Sequence, residues 1–251
     1  VAMLKDLEKA ITDIKGMSEG EKVTLATFDC WCNADTELWV KVANTLRLRM
    51  ALRLSKREAE MKEAGIDLKQ VATEAAANTL ATVNTDIVID KSLENEMWLM
   101  FNWGDCGFNA NLVTLMTGMK DPRQPGKPNN WANFSQWIDP QNTIGVYSMP
   151  LPIFKAAESY FLLAEAKLRW DIGSASVQSL YEDGIRVSMT NELSYRGKYA
   201  GVDAYAAGAV DEYINGTTTQ VDFEDPVDPT LITPAVNKLC VKWDEGASTA
   251  E

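Results

Sequence analysis

Residues 39–54 read WVKVANTLRLRMALRL. From Leu46 onward apolar and other residues alternate strictly, Leu46, Leu48, Met50, Leu52 and Leu54 against Arg47, Arg49, Ala51 and Arg53. At period two this is a half-buried strand. Composition decides otherwise, because Leu, Arg, Met and Ala are strong helix formers and no β-branched residue lies among them. Trp39, Ala43, Leu46, Met50 and Leu54 also share one helical face, which predicts a helix over about 37–57. Leu48 and Leu52 fall on the opposite side, so this helix is packed on both. Arg49 and Arg53 then lie beside a packed face, where a guanidinium must be paired or must snorkel.

The partners for those arginines are sought on a second helix. FKAAESYFLLAEAKLRW, residues 154–170, carries Phe154, Ala157, Phe161, Ala164 and Leu168 on one face and Glu158 and Glu165 seven apart. Two carboxylates on one side of a helix serve either as a glycosidase pair or as counter-ions. The spacing favours counter-ions, with both glutamates fastening this helix to the arginines of 37–57. Asp171-Ile172-Gly173 breaks the pattern, and a further helix is predicted at about 174–190. The pair forms an αα-hairpin close in size to a tetratricopeptide repeat. A helix at about 67–82, rich in alanine, completes a second such hairpin with 37–57. Leu4, Leu7, Ile11 and Ile14 predict an opening helix stopped by Gly16, and residues 17–38 read as loop. Val236–Trp243 reads as the start of a last helix.

Residues 83–150 differ in character. They hold Trp98, Trp103, Trp131 and Trp137 with Phe101, Phe108, Phe134 and Tyr147, separated by dense Asn, Gly and Pro, and only one short helix is expected there, at about 109–119. Tryptophans on loops beside Asn, Gln and Arg suit a carbohydrate platform, since rings cover the apolar faces of sugars and amides or Arg bond the hydroxyls. The candidate ligand-binding residues are Trp98, Trp103, Trp131, Phe134, Trp137 and Tyr147, with Asn129, Asn130 and Arg123 as polar partners. The plainer reading is that these aromatics anchor a long irregular segment to the helical body.

The chain has no histidine, which removes Ser-His-Asp and Cys-His catalysis within it. Its net charge of −12 disfavours nucleic acid and anionic membrane surfaces. Cys30 and Cys32 are too closely spaced for a zinc knuckle, and no glycine-rich phosphate loop is present. The acidic loop of Asp222, Glu224, Asp225 and Asp228 lacks the spacing of a calcium loop. No catalytic residue, metal or cofactor is therefore assigned. Buried free thiols are the default for the four cysteines; in an oxidising setting Cys30 or Cys32 would pair with Cys106 or Cys240, in a connectivity left open. The chain opens on an amphipathic helix without the pattern of a signal peptide, and NKLCVKWDEGASTAE begins an apolar pattern and stops. It reads as a piece of a longer protein, one domain over 1–251 with 83–150 as an aromatic insertion.

Three motifs, in order, resemble the SusD/RagB-like nutrient-binding outer-membrane lipoproteins. Trp39, Lys41, Asn44, Leu46, Arg47, Leu48, Arg49, Ala51 and Arg53 match the family's Trp-x-Lys-x-x-Asn-Ser-Leu-Arg-Leu-Arg-x-Ala-x-Arg signature, with Thr45 in place of the serine. Asp121-Pro122-Arg123 is similar to its Asp-Pro-Arg element. Glu158, Phe161, Ala164, Glu165, Ala166, Gly173, Tyr181, Gly184, Ile185 and Ser188 follow its Ala-Glu-x-x-Phe-x-x-Ala-Glu-Ala and Tyr-x-x-Gly-Ile-x-x-Ser patterns. The resemblance implies an all-α fold of tetratricopeptide-like helical hairpins, a SusD-like α/α superhelix with long irregular loop insertions. It implies a non-enzymatic subunit, lipid-anchored through a segment outside this chain on the outer surface of a Gram-negative outer membrane. Such a subunit captures oligosaccharide, or peptide in some relatives, for a SusC-like TonB-dependent transporter. The alternatives are a helical-repeat scaffold without a small ligand and, last, a glycosidase using Glu158 and Glu165.

Overall fold

A computed structural model describes residues 1–89, 109–123, 151–200 (195–200 by backbone only), 204–225 and 227–246. These divide into two compact units. The first comprises Val1–Ile89 and Leu151–Ser188; the second is described through 109–123 and the residues after Ser188.

The first unit is built on α3, Thr36–Arg53, whose start is capped by Asp35 accepting from the Leu38 N–H. The helix prediction holds against the alternation. Val40, Val42, Ala43, Leu48, Ala51 and Leu52 are buried, on more than one side of the helix. α1, Ala2–Lys15, packs Ile11 with Leu7 and Ile14 against Val40 and Ala43. α5, Leu68–Ala76, and α7, Ala156–Trp170, enclose Leu48, Ala51 and Leu52 with Leu68, Ala72, Ala75, Leu162 and Ala166.

Past Arg53 the chain tightens into a 3₁₀ turn, Ser55–Arg57, and restarts as α4, Glu58–Glu63. The expected 67–82 helix ends at Ala76 for a visible reason. Asn44 donates to the Asn78 carbonyl at 3.2 Å, Lys41 donates to the Asn78 side chain, and the Leu80 N–H donates to Thr45 Oγ1 at 3.1 Å. These α3 side chains bind the segment after Ala76 as a 3₁₀ turn, Leu80–Thr82, in place of further α-helix. Thr45 Oγ1 also meets Ser159 Oγ of α7 at 3.2 Å, so one hydroxyl ties three elements together.

β1, Ile87–Ile89, pairs antiparallel with β2, Leu151–Phe154, with Ile89 opposite Leu151. Asp86, just before β1, accepts the Ala156 N–H at the start of α7. α7 turns through Asp171 and Gly173, both at positive φ, into α8, Val177–Ala200, divided between the units after Ser188. The predicted αα-hairpin is present. Gly184 lets it close, because a Cβ there would lie 3.0 Å from the Phe161 ring.

Two elements differ from expectation. Residues 17–38 are not all loop: α2, Glu19–Phe28, begins with a capping box between Ser18 and Glu21 and buries none of its residues. Its end leads into a tight loop around Asp29, whose carboxylate accepts N–H groups of Trp31, Cys32 and Ala34 and the Trp39 indole N–H at 2.8–3.1 Å. Burial works to raise the pKa of Asp29, yet these four donors hold it below the ordinary carboxylate value. The Trp31 and Trp39 rings stack with centroids 5.6 Å apart. Nor is 236–243 helical.

The second unit sets α6, Ala110–Gly118, against residues 219–221. Gln220 donates to Thr114 Oγ1 at 2.8 Å and accepts from the Asn237 N–H at 2.8 Å. α9, Ala209–Ile214, and a two-residue ladder between β3, Phe223–Glu224, and β4, Ile232–Thr233, complete what is described.

Cys30, Cys32 and Cys240 are free thiols, and Cys106 lies outside the described residues. The Cys32 thiol is 2% exposed; burial, then the charges of Asp29 and Asp35, push its pKa from 9.0 up to about 12.

Two predictions follow from this packing. With Cys30, Cys106 and Cys240 changed to serine, Cys32 should resist Ellman's reagent in the native protein at about pH 8 and react fully in guanidinium. Because the folded value is the higher one, the thiol's stabilising effect is intact below pH 9 and is lost as pH rises towards 12. Gly118→Ala would set a Cβ 2.1 Å from the Thr219 carbonyl oxygen. It should lower the urea midpoint of the second unit by the equivalent of about 1–3 kcal/mol, read by circular dichroism; an unchanged midpoint would mean that the 219–221 backbone moves freely away.

Candidate functional site

Eight of the nine expected ligand-binding residues, Trp98, Trp103, Asn129, Asn130, Trp131, Phe134, Trp137 and Tyr147, lie outside the described residues. Arg123 is described, and it is engaged. Asp121, buried at the end of the turn after α6, accepts from Arg123 Nε at 2.9 Å and from Nη2. The Arg123 backbone N–H reaches the same carboxylate at 2.9 Å. Glu192 of α8 stands 3.9 Å from Nη1. Burial alone would lower the guanidinium's pKa, but the hydrogen bonds and charge of Asp121, with Glu192, carry it above its ordinary value. Arg123 therefore stays charged at every accessible pH. The Asp-Pro-Arg element is thus a buried clamp: Asp121 is satisfied by a residue two positions on, and Pro122 rigidifies the turn between them.

Beside this clamp, and within the second unit alone, lies a hollow of about 310 Å³. Lys120 and Pro122 line one part; Glu212, Tyr213, Asn215 and Thr218 line another. Lys120 sits at φ 55°, the left-handed conformation that ends α6 and turns the chain into the clamp. Asn215 follows α9 and donates to the Asp211 carbonyl at 2.9 Å, which fixes its amide. A phenol ring, an amide, a hydroxyl, a cation and an anion around a small concave space can stack on a ring and exchange hydrogen bonds with a polyol. These residues were not among those singled out from the sequence. The only local signal is Tyr213-Ile214-Asn215-Gly216, an aromatic and an amide at a helix end closed by glycine.

The glutamates of α7 are occupied. Glu158 pairs with Arg49 of α3, as expected. Glu165 does not reach α3; it accepts from Arg169 on its own helix at 2.7 Å. Arg47, 6% exposed, pairs instead with Glu74 of α5 at 3.2 Å, and Arg53 is exposed. In the acidic loop, Asp222, Asp225 and Asp228 accept backbone N–H groups. Among the described residues no group of three or more His, Cys, Asp or Glu could hold a metal ion, and no helix is long and apolar enough to cross a membrane.

A family model for SusD-like proteins, described as Susd and RagB outer membrane lipoprotein, matches residues 1–134 and 127–251. Solved structures share the fold. A SusD-like protein from Bacteroides thetaiotaomicron aligns over 98% of this chain and 53% of its own, at 25% identity and a TM-score of 0.72. A chitin-binding SusD homologue from Flavobacterium johnsoniae aligns over 98% of this chain and 52% of its own, at 26% identity and a TM-score of 0.73. A SusD homologue from Bacteroides ovatus gives 24% identity and a TM-score of 0.71 over 97% of this chain and 53% of its own. This chain spans about half the length of these structures. No curated protein matches it in sequence.

Removing Arg123 leaves Asp121 buried with its charge uncompensated. Arg123→Ala should destabilise the second unit by about 3 kcal/mol, and Arg123→Lys should recover only part, because an ammonium cannot reproduce the forked bond. Urea titration of the three proteins checks this. Equal midpoints for wild type and Arg123→Ala would show that the clamp carries no stability.

Proposed function

The chain belongs to the SusD/RagB-like family of outer-membrane lipoproteins, and from that premise we propose that it is the glycan-capturing subunit of a nutrient-uptake system. It binds oligosaccharide at the outer face of the outer membrane and delivers it to a SusC-like TonB-dependent transporter. It binds without turnover and uses no cofactor. The observation that carries this reading is the likeness to a chitin-binding SusD homologue over 98% of the chain at 26% identity.

The local chemistry agrees. β1 and β2, which stand on either side of residues 90–150 in the sequence, pair with each other. Loops held on rigid elements are where recognition usually resides. Trp98, Trp103, Trp131, Phe134, Trp137 and Tyr147 supply rings, and Asn129 and Asn130 supply amides. Arg123 contributes through the clamp, and the hollow beside it adds Tyr213 and Asn215. Glu158 and Glu165, each held by an arginine, act as counter-ions.

Binding to a glycan array that includes chitin fragments, with a peptide pool alongside, tests the proposal. A saturable glycan signal is expected, weakened about tenfold by Trp131→Ala or Trp98→Ala at unchanged thermal stability. A peptide signal alone would move the protein to the peptide-binding relatives. Silence towards both, with a co-purifying protein, would favour the scaffold, and release of reducing sugar abolished by Glu158→Gln would make it a glycosidase.

A further inference from the structure

The first unit holds a second concave site. Where the 3₁₀ turn Ser55–Arg57 and the start of α4 meet the C-terminal end of α7, there is a hollow of about 530 Å³. This lies within the roughly 300–1,000 Å³ of small-ligand clefts. Its lining includes Ser55, Lys56, Glu58, Glu165, Arg169 and Trp170. None of them belongs to the 83–150 segment.

We propose that this hollow is a separate saccharide-binding site with Trp170 as its stacking surface. The inference rests on the capture reading only for the class of ligand. Trp170 is half-buried and packs against the α3–α5–α7 core, and its indole N–H donates to Glu58 Oε1 at 2.9 Å. Core and hydrogen bond together fix the plane of the ring, which a stacking surface requires. Around it the charges cancel, with Lys56 and Arg169 against Glu58 and Glu165. An anion or a cation would meet equal attraction and repulsion there. A neutral polyol instead finds donors and acceptors side by side. Arg169 binds Glu165 through Nε, leaving its two terminal nitrogens to donate. Glu58 and Glu165 each keep one carboxylate oxygen to accept, and Ser55 can do either. All of these groups sit on or next to helices of the core, so little ordering is needed on binding.

The test is a titration of the full, ¹⁵N-labelled chain with chitohexaose and, separately, maltohexaose at millimolar concentration, following the indole N–H signals. Trp170→Phe assigns the relevant signal and keeps the core contact. The Trp170 signal should move saturably, and Lys56→Ala, at an exposed position, should weaken that response about threefold without changing thermal stability. Movement of other indole signals with Trp170 still would overturn this site and leave the capture reading standing. Movement of Trp170 alone would support this site and remove the 83–150 platform. If neither sugar moves any indole signal, the site is overturned as a saccharide site.

Discussion

The first unit depends on neutralising the arginines of α3 inside a packed core. Arg47 is 6% exposed and Arg49 largely covered, and a guanidinium taken out of water costs several kcal/mol unless its donors are met. Each finds a carboxylate on a different helix, Glu74 of α5 and Glu158 of α7. α3 can therefore be apolar on both sides and still hold two charges. Arg49 also lies over the Phe154 ring at 5.3 Å, the last residue of β2. One side chain thus ties α3 both to the first turn of α7 and to the end of β2. Lysine would not serve as well, because the flat guanidinium lies over the Phe154 ring while one terminal nitrogen reaches Glu158.

The polar residues of the same helix set the limits of its neighbour. Lys41, Asn44 and Thr45 bind the chain after Ala76, and α5 stops where those bonds begin. This is why the boundary was not legible. Alanine-rich sequence to Thr82 is good helix by propensity, and only a tertiary partner overrides it. The same logic removes a helix at 236–243. Asn237 N–H is taken by Gln220, Leu239 N–H by the Asn237 side chain and Lys242 N–H by the Gly216 carbonyl, so the donors of that stretch are spent outside a helical ladder. α2 fails the opposite test. It buries nothing, hence shows no apolar period, and only the Ser18–Glu21 capping box marks it.

What the sequence made plain was the hairpin architecture, but not every packed face: Phe161 and Leu168, expected on the packed side of α7, are 40% and 50% exposed, and Leu162 and Ala166 are buried instead. The candidate sites were less legible. The hollow in the second unit joins residues near 120 to residues near 213, and the one in the first unit joins residues near 56 to residues near 168. No local pattern links such pairs. Charge roles were legible by type and not by partner. Glu158 was foreseen as a counter-ion to α3, whereas Glu165 lies one turn from Arg169 and takes the nearer cation. Arg123 read as a ligand donor because it lies among the aromatics of 83–150; in the structure it is paired with the buried Asp121 two residues before it.

A common feature of the two hollows bears on how such a protein would use them. Their charged groups are already paired or balanced in the free protein. A sugar entering either one exchanges water for fixed donors and acceptors, and each such exchange contributes little net free energy. Affinity must then come mainly from ring faces that cover the apolar side of the sugar. One or two rings alone give weak, rapidly reversible binding, and several acting on one chain-like ligand give more through effective concentration. On the proposed capture role, each hollow holds a sugar weakly and releases it without a large barrier. That is the behaviour a subunit needs if it is to pass its ligand on.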